Sequence, residues 1–351
     1  MSQIPFVYVL YSGKLYGTER MTIKTVKAMS AMGSSVILTP PGLILKEAAQ
    51  QSIAVKTFDS YWDSIYCLKS YLVEHQKLVF ITTSISQSIS IVLCNFFYRR
   101  QVVHLHMVHG GTEEHLSYAR KFLLNNLPVK LIAVSNYVRE RLEAYRVHPQ
   151  KITVIENFLL KSEIELIPKR KPFKKPGIGR VVIVSRLDPI KRIDLLFDAL
   201  DSFPELNNLE FRIFGFGRDM DKFKTKISKN NYQVTLNGFS ENIWQAMADC
   251  DLLLHLCPVE PFGLAILEAM AVGLPVLVPD RGGTKTLVAN GVSGFYFNAD
   301  DKIDLAFRLS ELRQVSPELL NNVVRNARQH LLSQYSEEKG IAAYRQLFDS
   351  S

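Results

Sequence analysis

Short apolar runs alternate with amphipathic stretches along the first half of the chain. FVYVL (6–10) leads into GTERMTIKTVKAMSAM (17–32) and then SVILT (35–39), and KLVFIT (77–82), VVHLHMV (102–108) and KLIAVS (130–135) continue the series. Runs this short, separated by helix-period segments, predict strands buried on both faces, hence a parallel sheet with helices above and below. The alternation resumes with RVVIVS (180–185), LEFRIFG (209–215), QVTLNG (233–238), DLLLHLC (251–257) and PVLVP (275–279). The pattern therefore predicts an α/β chain of two doubly wound domains in tandem with a central cleft, and places the chemistry in the loops after the strands.

Between the two series lies LLKSEIELIPKRKPFKKPGIG (159–179), with three prolines, two glycines and a cluster of Lys and Arg. Such a stretch reads as a linker. The expected boundaries are a first domain over 1–160, a basic linker over 161–179 and a second domain over 180–334. Apolar positions from Leu319 to Leu347 keep helical spacing, so 335–351 is a closing helix for which the first domain is a candidate dock.

Composition narrows the class. At 351 residues the chain exceeds the roughly 250 at which single cores stop growing, and 47% hydrophobic with 22% charged residues suits a globular protein. The longest apolar runs, ISIVLCNFFY (89–98) and CDLLLHLCPV (250–259), fall far short of the roughly 20 residues of a membrane span. No basic segment followed by an apolar one opens the sequence, so a cytoplasmic protein is expected. Cys67, Cys94, Cys250 and Cys257 are widely spaced without a C-x-x-C pair and read as reduced core residues. Charge is uneven: residues 1–158 carry seventeen basic against ten acidic residues, 159–180 seven against two, and 181–351 eighteen against twenty-two. The positive first half favours an anionic partner, whether membrane headgroup, lipid diphosphate or nucleic acid, with a solvated basic face as the other reading.

The candidate chemistry centres on EPFGLAILEAMAVGLPVLVP (260–279). Pro261 and Gly263 break the chain after Glu260, and helical spacing runs from Leu264 to Val272, ended by Gly273 and Pro275. The amides of Phe262, Gly263 and Leu264 open that helix, where an anion is favoured, while Glu260 and Glu268 flank it as hydroxyl acceptors. A diphosphate with a sugar on each side has that shape. Arg186 and Lys191, in SRLDPIKRIDLL, supply balancing cations at R-x4-K spacing. Taken singly, each carboxylate reads as an ordinary helix charge and each cation as a surface partner of Asp188 or Asp194. Asp249-Cys250-Asp251 spells a metal-binding D-x-D but precedes a buried strand, and the G-x-G of FGFGRD is too short for a dinucleotide fingerprint.

Together, Gly17-Thr18-Glu19, SRLDPIKRIDLL, FGFGRD, LNGF, EPFGLAILEAMAVGLPVLVPDRGG and NGVSGF resemble glycosyltransferase family 4, the retaining GT-B transferases built of two Rossmann-like domains. The resemblance is dense in the second domain and loose in the first. It implies a first, acceptor domain and a second, nucleotide-sugar-binding one. It implies that Arg186 and Lys191 hold the donor diphosphate, that Glu260 and the Phe262, Gly263 and Leu264 amides meet sugar and phosphate, and that Glu268 takes the ribose diol. Phe239, in LNGF, stands where the family holds the base, with Gly215 in FGFGRD and Gly17 near the donor phosphate. A first-domain histidine is implied beside the transferred sugar. Of His104, His106 and His109, the turn signalled by HGG (109–111) favours His109, with His106 next and His104 a core residue. Two departures stand out: Thr286 replaces a glutamate, and ENFLL keeps Asn157 without the glycine and acid expected after it.

The implied activity is metal-independent, retaining transfer of a hexose from a UDP-glucose-like donor to a hydroxyl acceptor of a cell-surface polysaccharide or glycolipid, without a cofactor. A lipid-linked saccharide at the anionic inner membrane face fits the basic first half, and nucleic acid is not an expected partner. A GT-B phosphorylase, a nucleotide-sugar epimerase and a non-catalytic sugar-nucleotide-binding protein would share many of these groups.

Overall fold

Residues 4–110 and 114–349 are described by the computed structural model, the side chains of Glu114 and Asp349 apart. The first parallel sheet contains β1 (Phe6–Val9), β2 (Ser35–Thr39), β3 (Ala54–Thr57), β4 (Lys77–Thr82), β5 (Gln101–Val108), β6 (Lys130–Ala133) and β7 (Ile152–Val154). Its order is β3-β2-β1-β4-β5-β6-β7, so the winding reverses between β1 and β4. The second contains β8 (Arg180–Val184), β9 (Glu210–Phe214), β10 (Val234–Gly238), β11 (Leu252–Leu254), β12 (Val276–Pro279) and β13 (Phe295–Phe297), ordered β10-β9-β8-β11-β12-β13, with the reversal between β8 and β11. Two compact units result: Met1–Leu160 with Glu337–Ser351, and Lys161–Ser336.

Central strands are apolar on both faces, as helices above and below require. All four residues of β1 and of β12 are buried. β3, β7 and β13, absent from the strands anticipated above, lie at sheet edges and are only three or four residues long. β3, AVKT, is mostly exposed and lacks the apolar run that marks a central strand.

The basic stretch after residue 160 is not a free tether. It opens as the helix Lys161–Leu166 and then lies against the second unit. Lys169 Nζ donates to the carbonyls of Ile164 and Ala271, both at 2.9 Å, and Arg170 Nε to that of Cys250 at 2.7 Å. Arg170 also pairs with Asp251 at 2.5 Å and stacks on Phe173, 3.5 Å from the ring centroid. The other oxygen of Asp251 accepts the amides of Gly179 and Arg180, so the D-x-D acid anchors the start of β8. Cations that composition assigns to a solvated linker are here satisfying helix-end carbonyls.

The helical tail divides into Pro317–Gln334, in the second unit, and Glu337–Asp349, in the first. The second of these helices packs on the helix Gly17–Met29 and on the sheet beside it, where Phe348 meets Phe6 of β1 edge-on at 5.4 Å and Tyr344 Oη reaches Met107 Sδ of β5 at 3.7 Å. Gly340 lies so close to the buried ring of Phe158 that a Cβ would fall 2.2 Å from it. Gly340→Ala is therefore expected to overpack the joint and lower stability by about 2 kcal/mol in urea unfolding, although alanine is the better helix former.

Candidate functional site

The reversal between β8 and β11 places the loops of their carboxyl ends side by side, where open parallel sheets take ligands. After β8 the chain passes Arg186 and Asp188 into the single 3-10 turn Pro189–Lys191. After β11 it passes His255, Cys257 and Glu260 before the helix Leu264–Val272 begins. Lys191 Nζ donates to Glu260 Oε2 at 2.5 Å, with only 14% and 18% of the two side chains exposed. Lys191 thus takes Glu260, while Asp194 pairs with Lys222. Burial disfavours the Glu260 carboxylate, yet Lys191 and His255 outweigh it and hold the group well below the usual carboxylate range. Burial likewise opposes the Lys191 cation, and Glu260 beside it more than compensates, so its pKa rises. Both groups are charged at neutral pH.

The remaining cation is held in turn. Arg186 pairs with the buried Asp188 at 2.8 Å, and Asp188 Oδ1 also accepts the Arg218 amide at 3.2 Å, tying the loops after β8 and β9 together. Gly215 belongs to this seam: at φ +136° a side chain there would strike the Ser185 carbonyl, only 1.9 Å from the Cβ position. Across the site, the Gly283 amide donates to the Glu260 carbonyl at 2.7 Å. A Cβ on Gly283 would sit 2.2 Å from the Pro261 carbonyl, so the paired glycines let this turn support the glutamate loop. Thr286, at the position where the resemblance leads one to expect a glutamate, turns its hydroxyl back to the Gly283 carbonyl at 2.7 Å.

The helix Leu264–Val272 starts on Gly263, at φ +108°, and ends on Gly273, at φ +86°. Six of its nine residues are buried, and Glu268 stands one turn in at a half-buried position. Phe262 is buried, edge-on to Tyr335 at 5.8 Å, so of this residue its backbone is the group suited to a ligand. Phe239 follows β10 and is 59% exposed, as is Phe216 after β9.

Sequence reasoning passed over His255 and Thr284, and read Cys257 only as a core residue and Asp188 only as a surface partner. His255 is buried with its Nε2 3.4 Å from Glu260 Oε2, and the buried Thr284 Oγ1 has no hydrogen-bond partner among the described residues. His255, Cys257 and Glu260 offer ligand atoms within 4.8 Å of one another, a spacing a metal could use. The Lys191 ammonium already serves the same carboxylate oxygen, and burial pushes the Cys257 thiol up to about 11, away from the thiolate a metal needs.

The first unit carries the remaining expectations. Gly17 begins the helix Gly17–Met29, whose Glu19 carboxylate accepts the Tyr16 amide at 3.0 Å. A Cβ on Gly17 would meet nothing within 4 Å, so the fold itself makes no demand for glycine there. His106 is fully enclosed within β5, hydrogen-bonded to Ser88 Oγ at 2.8 Å and 3.3 Å from Thr82 Oγ1. It cannot touch a substrate without rearrangement, because β4 and the helix Ile85–Tyr98 supply its neighbours. His104 lies on the same face, 3.4 Å from Thr82 Oγ1. His109 stands half-buried just past the end of β5, followed by Gly110 at φ +72°; Gly111 lies outside the described residues.

The fold is that of the GT-B glycosyltransferases, two Rossmann-like units of parallel sheet. Within it, residues 166–330 form a domain matching the family model "Glycosyl transferases group 1". Alr3699/HepE from Anabaena, solved in complex with UDP and glucose, superposes with a TM-score of 0.84 at 21% identity, covering 99% of this chain and 100% of that one. Poly(ribitol-phosphate) alpha-N-acetylglucosaminyltransferase of Staphylococcus aureus (strain COL) is 27% identical over 211 residues, 57% of this chain and 40% of that protein. N-acetyl-alpha-D-glucosaminyl L-malate synthase of Bacillus anthracis is 30% identical over 174 residues, 48% and 44% respectively. The chain thus spans less than half the length of these two relatives in the matched regions.

Two outcomes follow. Lys191→Met strands a buried carboxylate and is expected to cost about 3 kcal/mol in urea unfolding, whereas Lys191→Met with Glu260→Gln recovers most of that loss. Burial lowers His104 to about 3 and His109 to about 4, and pushes His106 well below its ordinary value. Between pH 4 and the ordinary value of about 6.5 the unfolded chain therefore binds more protons than the folded one. Their contribution is whole above pH about 6.5 and declines as pH falls toward 4, and His109→Gln should flatten that slope in pH-dependent urea titrations.

Proposed function

We propose that the protein transfers a hexose from a nucleoside-diphosphate sugar, UDP-linked, to a hydroxyl of a glycan acceptor, with retention of anomeric configuration and without a metal or other cofactor. The observation that carries this reading is the buried Lys191–Glu260 pair beside Arg186 and the start of the helix Leu264–Val272, at the winding reversal of a domain matching glycosyl transferases group 1. Departure of a nucleoside diphosphate builds negative charge on its outer phosphate. Arg186, Lys191 and the amides of Phe262, Gly263 and Leu264 stabilise that charge from fixed positions. Glu260, kept ionised by Lys191, accepts hydrogen bonds from hexose hydroxyls, and Glu268 from the ribose diol. The exposed rings of Phe239 and Phe216 are platforms for a base. Gly17 leaves backbone open to phosphate, Gly215 lets the loops after β8 and β9 close together beside it, and His109 is the first-unit histidine assigned to the transferred sugar.

UDP is chosen because the Anabaena structure holds it. The acceptor class is broader: the printed names of the two relatives point to a poly(ribitol-phosphate) acceptor and to L-malate, both bearing hydroxyls. The basic excess of the first unit supports an acceptor presented at an anionic surface.

A thermal-shift screen over nucleoside diphosphates and their sugars tests the reading: a UDP-sugar at about a hundred times its Kd should stabilise the fold by about 2.7 kcal/mol. No shift with any nucleotide, or activity dependent on free phosphate, would overturn it. Gly17→Ala separates fold from function. Melting should be unchanged, since nothing surrounds the new methyl, while kcat/KM falls on the order of tenfold as the donor phosphate loses its approach.

A further inference from the structure

The helix Ile85–Tyr98 carries no Asp, Glu, Lys or Arg over fourteen residues, although one side of it faces solvent. It packs beside the helix Tyr61–Glu74, with Tyr61 Oη 2.7 Å from Ser90 Oγ. Inward, Cys67, Leu68, Leu72, Ile91 and Cys94 join the core of the first unit. Outward, Trp62, Tyr66, Leu93, Phe96 and Phe97 stand between 60% and 81% exposed. A surface helix normally turns its polar residues to solvent; here the solvent side carries Leu93, Phe96 and Phe97 instead, which calls for an apolar medium beyond it.

Charge rims the patch. Exposed Arg99 follows Phe97 by two residues, exposed Lys69 shares a helix with Tyr66, and Arg100 reaches across, its Nε donating to the Leu72 carbonyl at 2.7 Å. Asp63 and Glu74 are the acids on the two helices, and Asp63 is engaged with the Ser60 cap at 2.8 Å. Neither helix is long and apolar enough to cross a membrane. Trp, Tyr, Phe and Leu beside Arg and Lys is the composition of a surface seated in the headgroup region of a bilayer.

We infer that this paired-helix face docks the first unit on an anionic membrane leaflet, the aromatic side chains entering the headgroup boundary while Arg99 and Lys69 meet lipid phosphates. Charge complementarity selects this occupant over a second copy of the chain, which would set Arg99 and Lys69 against the same cations in a unit already rich in Lys and Arg. The inference stands on these two helices and does not rest on the transferase reading.

Vesicles of phosphatidylcholine with about one third phosphatidylglycerol test it by co-sedimentation. The full chain should bind them, bind pure phosphatidylcholine more weakly, and release as salt rises. Phe96→Ser with Phe97→Ser should weaken partitioning by about tenfold or more, and Arg99→Gln should weaken it toward the anionic vesicles alone. Because these side chains are exposed, melting should stay unchanged, and nucleotide-induced thermal shifts should persist in both variants. In a Trp244→Phe background Trp62 becomes the sole tryptophan, and its emission should shift to the blue on vesicle addition. Equal partitioning of wild type and the double serine variant would overturn the inference. So would an unshifted Trp62, or concentration-dependent dimerisation that the serine variants abolish.

Discussion

Two opposite charges held out of water at the ends of adjacent strands, Lys191 after β8 and Glu260 after β11, constrain everything around them. Neither could remain ionised there alone, since burial opposes both. Together they lock two loops that are more than sixty residues apart in sequence, and the surrounding features serve that lock. The Gly282-Gly283 turn carries the glutamate loop from below, and Asp188 fixes Arg186 beside the ammonium. Lys191 and Arg186 are thus already oriented, and in the transfer proposed above an incoming diphosphate exchanges partners with them, as preorganised sites do.

Much of the architecture was legible because central strands of a parallel sheet must be apolar on both faces. KLVFIT and SVILT fall on β4 and β2 to the residue, and the helix Leu264–Val272 begins and ends where Gly263 and Gly273 say it should. Edge strands escaped the same logic: AVKT carries no apolar run because little covers it. The basic stretch 161–179 misled for a different reason. Composition reports how many cations a segment has, while their partners, the carbonyls of Cys250 and Ala271, lie some eighty to a hundred residues away.

Among the candidate residues, spacing singled out Arg186, Lys191, Glu260 and Glu268 because they punctuate apolar segments, and the fold pairs Lys191 with Glu260. His255 and Cys257 stayed hidden inside DLLLHLC, where a polar residue in a strand reads as core. A signal was present: histidine directly after a fully apolar strand, five residues before a glutamate, is placed by alternation at the carboxyl end of the sheet. His106 shows the reverse, a residue with the right chemistry that Ser88 and Thr82 have taken into the interior.

The return of Glu337–Asp349 to the first unit makes that unit discontinuous, whereas Lys161–Ser336 is a single uninterrupted stretch. During synthesis the second unit can complete itself as it emerges. The first must wait for Phe348 to reach Phe6, 342 residues away in sequence, and for Gly340 to seat under Phe158. Until then β1 and β5 have one uncovered flank, and the earliest-made sheet is the last to become whole.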